Sequence, residues 1–314
     1  MTAHVRVPAS SSNLGAGFDC IGVAVDRWLV ASVTPTAGTG ISIRRGGRLT
    51  AVSVAFAEDL LARGFRAACA VAGAPATGAA IDATSDIPVG CGLGSSAAAI
   101  VAGVLLADAV LEVNLSRQQV VEIAAAIEGH PDNVATAVHG GAVLSVRTSS
   151  GLVSTPLSVA RGLELLLAVP PFPSDTKAAR AVLPKTLPHT DAVLAASRAA
   201  ALVQGLATGD GALLGAALDD VLHVPFRRGR IPGYDAVVAA AQKTGAYGAT
   251  LSGAGSAILA IAPRERSSAV GAAMIAAWRT AGVEAELIRS THPVPGATVT
   301  RIAQVIQPVS SELS

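Results

Sequence analysis

The stretch IPVGCGLGSSAAA, residues 87–99, decides how the chain is read. Gly90, Gly92 and Gly94 alternate, Ser95 and Ser96 follow, and Ala97, Ala98 and Ala99 lead into Ile100, Val101, Val104 and Leu105 at helical spacing. The pattern predicts a glycine loop that opens a helix. Such a loop bares backbone N–H groups, and the first turn of a helix leaves its own unpaired, so together they form an anion site. Glycine suits the position because a side chain would block the approach of a phosphate and because a positive φ costs it little. The hydroxyls of Ser95 and Ser96 add groups able to bond phosphate oxygens or ligate Mg²⁺. A dinucleotide fingerprint would need glycine where Ser95 stands, and a Walker A loop would need a lysine before its hydroxyl residue. The three lysines of the chain are Lys177, Lys185 and Lys243, none near the loop. Taken alone, the stretch also admits the reading of a plain helix start in an alanine-rich protein.

Outward from this loop, composition sets bounds. At 314 residues the chain exceeds the size at which single cores usually stop growing, so two domains are expected. The formal net charge of +1 argues against broad binding to nucleic acid or acidic lipid, and 3% aromatic residues against stacking platforms for single strands. A small molecule is the expected partner. Cys20, Cys69 and Cys91 are an odd set without metal spacing, which fits a reducing cytosol. The N-terminus MTAHVRVPAS lacks a signal-peptide core, and the longest nonpolar run, residues 97–107, is far short of the roughly 20 residues that span a bilayer. A soluble cytoplasmic protein with no membrane partner is expected.

In chain order, residues 5–7 read as a short strand that breaks into the polar loop PASSSNLGAGFD, residues 8–19, where Asn13 and Asp19 are either ligand groups or ordinary turn formers. Strands at 20–25 and 28–33, a helix at 56–71 and a strand at 77–84 precede the glycine loop. Ser116 and Gln119 form a capping box for the next helix, on which Glu122 lies opposite the apolar face of Val120, Val121, Ile123 and Ile127. Glu122 is thus either a solvated residue or a metal-binding carboxylate facing a cleft. EGHPDNVATAVHGG, residues 128–141, breaks the helix and crowds His130, Asp132 and Asn133 into one turn, with Asp132 also readable as a helix cap. A hairpin of 142–146 and 152–157 ends the first domain, and 163–169 reads as a buried strand. Ser174 is read as the cap of a helix that stacks Thr176 and Arg180 four residues apart, a pair suited to a carboxylate. Helices at 190–207 and 212–222 look structural, and Arg227, Arg228 and Arg230 then crowd one loop. The remainder reads helix 235–243, strand 247–251, a second glycine loop SGAG at 252–255, strand 257–261, helix 267–281 and strand 284–289, a succession that fits an α+β sandwich of ferredoxin-like type.

The segment from Pro88 to Ala98 resembles the phosphate loop of the GHMP kinases, a superfamily of small-molecule kinases. PASSSNLGAGFD, EGHPDNVA, TKAAR, PFRRGRIPG and GATLSGAGS resemble, in order, the branch that phosphorylates the amino-acid alcohol L-homoserine. The resemblance implies an α+β protein of two-domain architecture: a ribosomal-protein-S5-like N-terminal domain, 1–158, and a ferredoxin-like C-terminal domain, 159–314. It further implies transfer of the ATP γ-phosphoryl group to the L-homoserine hydroxyl, a step toward threonine, and is compatible with a homodimer. The loop Pro88, Val89, Gly90, Cys91, Gly92, Leu93, Gly94, Ser95, Ser96, Ala97 and Ala98 would cradle ATP, and Ser96 with Glu122 would hold Mg²⁺. Asn13, Asp19, His130, Asn133, Thr176, Arg180, Arg227 and Gly253 match positions around the amino acid, with Asp19 on its ammonium and Arg180 and Arg227 on its carboxylate. Asn133 would lie beside the reacting hydroxyl. An amide is no useful base, so Ser96, Glu122 and Asn133 would act by alignment and charge neutralisation, with Asp132 as a rival base. Ala16, where the branch commonly has proline, is expected to loosen the substrate loop. A mevalonate-type kinase and a non-catalytic ATP-binding sensor are the alternative readings.

Overall fold

The computed structural model describes residues 2–74, 77–291 and 294–302, so the tail of the expected second domain, 303–314, lies outside the described residues. β1 (Thr2–Asn13) and β2 (Gly17–Thr36) form a long antiparallel hairpin. β3 (Ile41–Gly47) leads through α1 (Leu60–Val71) to β4 (Gly78–Ser85), to which it lies parallel. α2 (Ser95–Leu111), α3 (Arg117–Glu128) and α4 (Asp132–His139) follow, then the hairpin of β5 (Ala142–Thr148) and β6 (Gly151–Leu157). Next come β7 (Leu163–Val169), α5 (Thr176–Ala181), α6 (His189–Thr208), α7 (Gly211–Leu218) and α8 (Val224–Arg227). α9 (Tyr234–Lys243), β8 (Gly248–Leu251), β9 (Ile258–Pro263), α10 (Arg264–Thr280), β10 (Glu286–Ser290) and β11 (Thr298–Ile302) complete the described chain.

The strands make two sheets. The first has seven strands in the order β11-β1-β2-β4-β3, with β5 joined to β2 and β6 to β5. The second is antiparallel in the order β10-β7-β9-β8, the order of the expected ferredoxin-like sandwich. β7 shows why it sits inside that sheet: its run LELLLAV is buried on both faces. Leu165, Leu167 and Val169 join the large core shared with the first half, while Leu166 and Ala168 join a second core with α9 and α10. A strand packed on both sides has to be apolar at successive positions, not alternate ones. α2 follows the same rule for helices. It is apolar all round, and a helix without a polar face is stable only when enclosed. Its one carboxylate, Asp108, accepts the Leu115 N–H at 2.9 Å. Among the described residues no helix is long and apolar enough to cross a membrane.

Several expectations need correction. β1 does not break at Pro8 but runs on to Asn13, shifting register between Pro8 and Ala9 and again between Ser12 and Asn13. Three successive serines read as loop by composition, yet Ser10, Ser11 and Ser12 are buried strand residues whose hydroxyls bond other segments. Ser174 does not cap α5; the Asp175 carboxylate does, accepting from the Lys177 and Ala178 amides. β11 returns to pair with β1, so a clean division after residue 158 does not describe the last strand, which closes an edge of the first sheet.

Candidate active site

Gly90, Gly92 and Gly94 all have positive φ, at 73°, 80° and 65°. The reason glycine is needed differs from the expectation of ligand clearance. A Cβ on Gly92 would lie 2.1 Å from the Ser252 carbonyl oxygen, and one on Gly94 would lie 2.1 Å from Ser10 Oγ. The glycines let this loop touch the second glycine loop and β1. Backbone bonds lock the contact: Ser10 N–H donates to Leu93 O at 3.1 Å, Ala257 N–H to Cys91 O at 3.0 Å and Ser174 N–H to Gly90 O at 2.8 Å. Pro88, Cys91, Leu93, Ala97 and Ala98 are buried; of the expected loop Gly90, Gly92, Gly94, Ser95 and Ser96 line the inner cavity, Val89 joins the wall of the wider hollow beside it, and Pro88 and Cys91 line only a separate hollow with Arg48 and Glu286. Burial pushes the Cys91 thiol up, which keeps it protonated and unreactive. Gly94 precedes α2 with no side chain capping it, leaving the first-turn N–H groups for a ligand.

Glu122 does not belong to this site. It is exposed, accepts from Gln118 Nε2 at 3.0 Å and faces Gly151 in the β5–β6 turn. The carboxylate at Ser96 is Glu128, six residues further along α3 and on another face, whose Oε1 accepts from Ser96 Oγ at 2.5 Å. Burial pushes the Glu128 carboxyl up, while the Ser96 hydrogen bond and the His130 charge pull it down. The error was one of position: only the last turn of α3, just before Gly129, reaches the loop.

Beside the glycine loop lies a cluster of charges. Arg180 on α5 grips Asp19 with two bonds, Nη1 to Oδ2 at 2.9 Å and Nη2 to Oδ1 at 2.8 Å. Arg227 at the end of α8 is only 2% exposed and has no carboxylate within salt-bridge distance among the described residues. Its Nε donates to Ala179 O at 3.0 Å and its Nη1 to Gly253 O at 3.4 Å. Burial first, and Arg180 second, push the Arg227 guanidinium down to about 10, so it stays charged at neutral pH. Phe18, which the sequence reading overlooked, carries the two guanidinium groups at 5.8 and 5.2 Å from its ring centre and stacks on His223 at 4.8 Å.

Asn13 holds this cluster together. Its Oδ1 accepts the Asp19 N–H at 3.0 Å and its Nδ2 donates to Gly253 O at 3.0 Å, so both ends of the amide are taken by protein. Ala16 tightens the loop: its N–H donates to Ala217 O at 2.9 Å, a bond proline could not make. His130 Nδ1 lies 2.6 Å from Asp132 Oδ1, which also accepts the Asn133 N–H at 2.9 Å. Burial disfavours charge on His130, but Asp132 outweighs it and raises the imidazole above its usual range.

These residues surround a small inner cavity of about 70 Å³ lined by Asp19, Glu128, His130, Asp132, Asn133, Thr176, Arg180, Arg227 and Gly253. Across Gly90, Ser95, Ser96 and Thr176 it borders a wider hollow of about 520 Å³, walled by Leu29, Ile43, Leu49, Val52, Leu60 and Leu61 and edged by Arg45, Glu58 and Lys177. No sequence pattern marks this hollow, because its wall combines β3, which carries no clear strand signal, with the start of α1.

Gly92→Ala should destabilise the fold by about 1 kcal/mol or more, because it adds a clash to the strain of positive φ. Gly73→Ala is the control, with φ 63° and nothing within 4 Å of an added Cβ. Thermal melts should place the first below the second. The His223 ring supplies a pH test. Its Nδ1 faces an arginine Nη1, which can only donate, at 3.2 Å, so Nε2 carries the proton and donates to Gly15 O at 3.2 Å. Burial pushes this neutral imidazole down to about 4 from 6.5. Within that window the unfolded chain binds more protons, so stability falls as pH falls from 6.5 toward 4. His223→Gln should lose less stability across that range than the parent; equal slopes in melts at matched pH would contradict the assignment.

The chain matches the family model for the GHMP kinases N terminal domain over residues 59–141 and that for the GHMP kinases C terminal over residues 199–280. A homoserine kinase of Microchaete diplosiphon is 39% identical over 283 residues, covering 90% of this chain and 92% of that protein. The crystal structure of homoserine kinase from Cytophaga hutchinsonii superposes with a TM-score of 0.86 at 30% identity, over 95% of this chain and 97% of that one. Mevalonate kinase from Methanococcus jannaschii, with a TM-score of 0.64 at 12% identity over 91% of this chain and 96% of that one, shares the fold alone. With both family models matched in order and a homoserine kinase alike over nine-tenths of its length, the chain belongs to the GHMP kinase family, among the homoserine kinases.

Proposed function

We propose that the chain transfers the γ-phosphoryl group of ATP to the side-chain hydroxyl of L-homoserine, giving O-phospho-L-homoserine on the way to threonine. The observation that carries this reading is the charge cluster beside the phosphate loop: one carboxylate, Asp19, and two guanidinium groups, Arg180 and the buried Arg227, around a small cavity. An α-amino acid presents an ammonium and a carboxylate to such a set. Mevalonate has a carboxylate but no ammonium for Asp19.

The nucleoside of ATP would occupy the wide apolar hollow, with its phosphates running over Gly90, Ser95 and Ser96 into the inner cavity. Ser96 and Glu128 offer hard oxygen donors of the kind Mg²⁺ takes together with phosphate oxygens, and among the described residues no larger acidic cluster competes with them. Mg²⁺ held there would neutralise triphosphate charge. Asn133, Asp19, Arg180 and Arg227 orient the amino acid so that its hydroxyl oxygen faces the γ-phosphorus. The new O–P bond forms as the bond to the β–γ bridging oxygen breaks, ADP leaves, and the hydroxyl proton passes to a phosphate oxygen or to water. Positioning of this kind needs no strong base, since the transferred group carries most of the change in bonding. The three free cysteines agree with a reaction carried out in the cytoplasm.

ADP release should be measured with ATP, Mg²⁺ and a panel of L-homoserine, D-homoserine, homoserine lactone, threonine, mevalonate and galactose. Selective turnover of L-homoserine is expected; preference for mevalonate, or ATP binding without turnover of any alcohol, would overturn the reading. Glu128→Gln should lower kcat about tenfold or more, roughly 1.4 kcal/mol of barrier, and raise the Mg²⁺ requirement. Glu122→Gln should leave both within about twofold, and the reverse result would restore Glu122. Arg227→Met should raise KM for homoserine by about tenfold to a hundredfold, the worth of a charge-assisted bond, with KM for ATP little changed. A fall in ATP affinity instead would remove Arg227 from the carboxylate.

A further inference from the structure

Asn133 is held at both ends of its amide. Ser10 Oγ donates to its Oδ1 at 2.8 Å, and its Nδ2 donates to Ser12 Oγ at 3.0 Å. Ser10 and Ser12 are alternate residues of β1, so both side chains leave the same face of the strand. Ser11, on the other face, bonds Ser252 Oγ at 2.8 Å, and Ser252 Oγ donates to Gly92 O at 2.6 Å. All three serines are buried. A buried hydroxyl is retained only where it has a partner, and each of these finds its partner in the site.

Ser10 also ties Asn133 to the phosphate loop. Its backbone N–H donates to Leu93 O, and its hydroxyl passes the spot where a side chain on Gly94 would stand. The loop, the strand and the amide are therefore tied into one unit. A serine hydroxyl has one proton, and Ser10 spends it on Asn133 Oδ1. Of the two Nδ2 protons, one goes to Ser12, which leaves one N–H for the cavity that Asn133 and Ser12 both line.

We propose that Ser10 and Ser12 are positioning residues for phosphoryl transfer: they clamp the Asn133 amide in one plane, in register with the phosphate loop, so that it presents an N–H donor to the reacting oxygens. The inference rests on the kinase reading above, and it assigns a use to two hydroxyls whose bonds go to the Asn133 amide. Because the clamp acts through Asn133, its effect belongs to the chemical step and not to the affinity for either substrate.

A double-mutant cycle tests it, read as single-turnover phosphoryl transfer to L-homoserine with enzyme in excess, together with steady-state KM values. Ser10→Ala and Ser12→Ala should each lower the transfer rate about tenfold, the scale of one lost buried hydrogen bond, with both KM values within about twofold of the parent. In an Asn133→Ala background the same changes should lower it no further than about twofold, since their target is gone. Ser11→Ala, whose partner is Ser252, should keep its full effect in that background. If Ser10→Ala and Ser12→Ala repeat their full losses without Asn133, or raise KM in place of lowering the rate, the clamp is wrong. Should Ser10→Ala fail to fold in a thermal melt, the Ser12→Ala arm decides alone. A parent chain that binds ATP but phosphorylates no alcohol would instead overturn the kinase reading, which separates the two failures.

Discussion

The Ser252 carbonyl oxygen occupies the space where a side chain at residue 92 would begin, and the rest of the site depends on that approach. A phosphate loop at a helix N-terminus offers N–H groups, but their direction is only as fixed as the loop behind them. Here the loop is backed by the loop that joins β8 and β9, through Ser252 Oγ on Gly92 O and Ala257 N–H on Cys91 O. The second sheet therefore does more than add a core. It supports the anion site, and the same loop offers Gly253 O to Asn13 and Arg227. Anion site and charge cluster share one backbone support, so displacement of either disturbs both.

The charge cluster has a second constraint, the burial of Arg227. A guanidinium that is 2% exposed and, among the described residues, lacks a carboxylate within salt-bridge distance is held by backbone carbonyls, His223 Nδ1 and the Phe18 face, and such partners compensate only part of its lost hydration. A ligand carboxylate would complete it. Asp19 and Arg180 already satisfy each other, so an amino acid that took the ammonium site and the carboxylate site together would exchange one ion pair for two. A ligand carrying only one of the charges would leave a partner stranded, which favours zwitterions over simple acids or amines.

How much of this was legible in the sequence varied with the kind of signal. The glycine loop and the ferredoxin-like order were readable because glycine punctuation and apolar runs are local. The resemblance of their segments to the GHMP kinases marks Asp19, His130, Asn133, Thr176, Arg180, Arg227 and Gly253, and the fold brings them to one cavity. A helical wheel places Glu122 on the polar face of its helix and says nothing about which turn reaches a neighbouring loop, so it leaves Glu128 unmarked. Ser10 to Ser12 were read as loop because composition cannot show that a hydroxyl will meet a partner more than a hundred residues away. The apolar hollow and the return of β11 to β1 are long-range facts, and neither leaves a periodic trace.

The carboxylates of the inner cavity bear on how a hydroxyl is activated there. Asp19 is taken by Arg180, Glu128 Oε1 by Ser96, and Asp132 Oδ1 by both His130 and the Asn133 backbone N–H. A general base works best when its proton-accepting atom is left to the substrate. Asp132 instead spends its charge on raising the His130 imidazole and on the N-terminal turn of α4, which points Asn133 at β1. A site whose acids are committed to holding its cations and amides can still speed phosphoryl transfer, because the loose transition state asks for alignment and charge neutralisation before it asks for proton removal. The rigidity of the serine, amide and glycine-loop contacts is the property that such a mechanism requires.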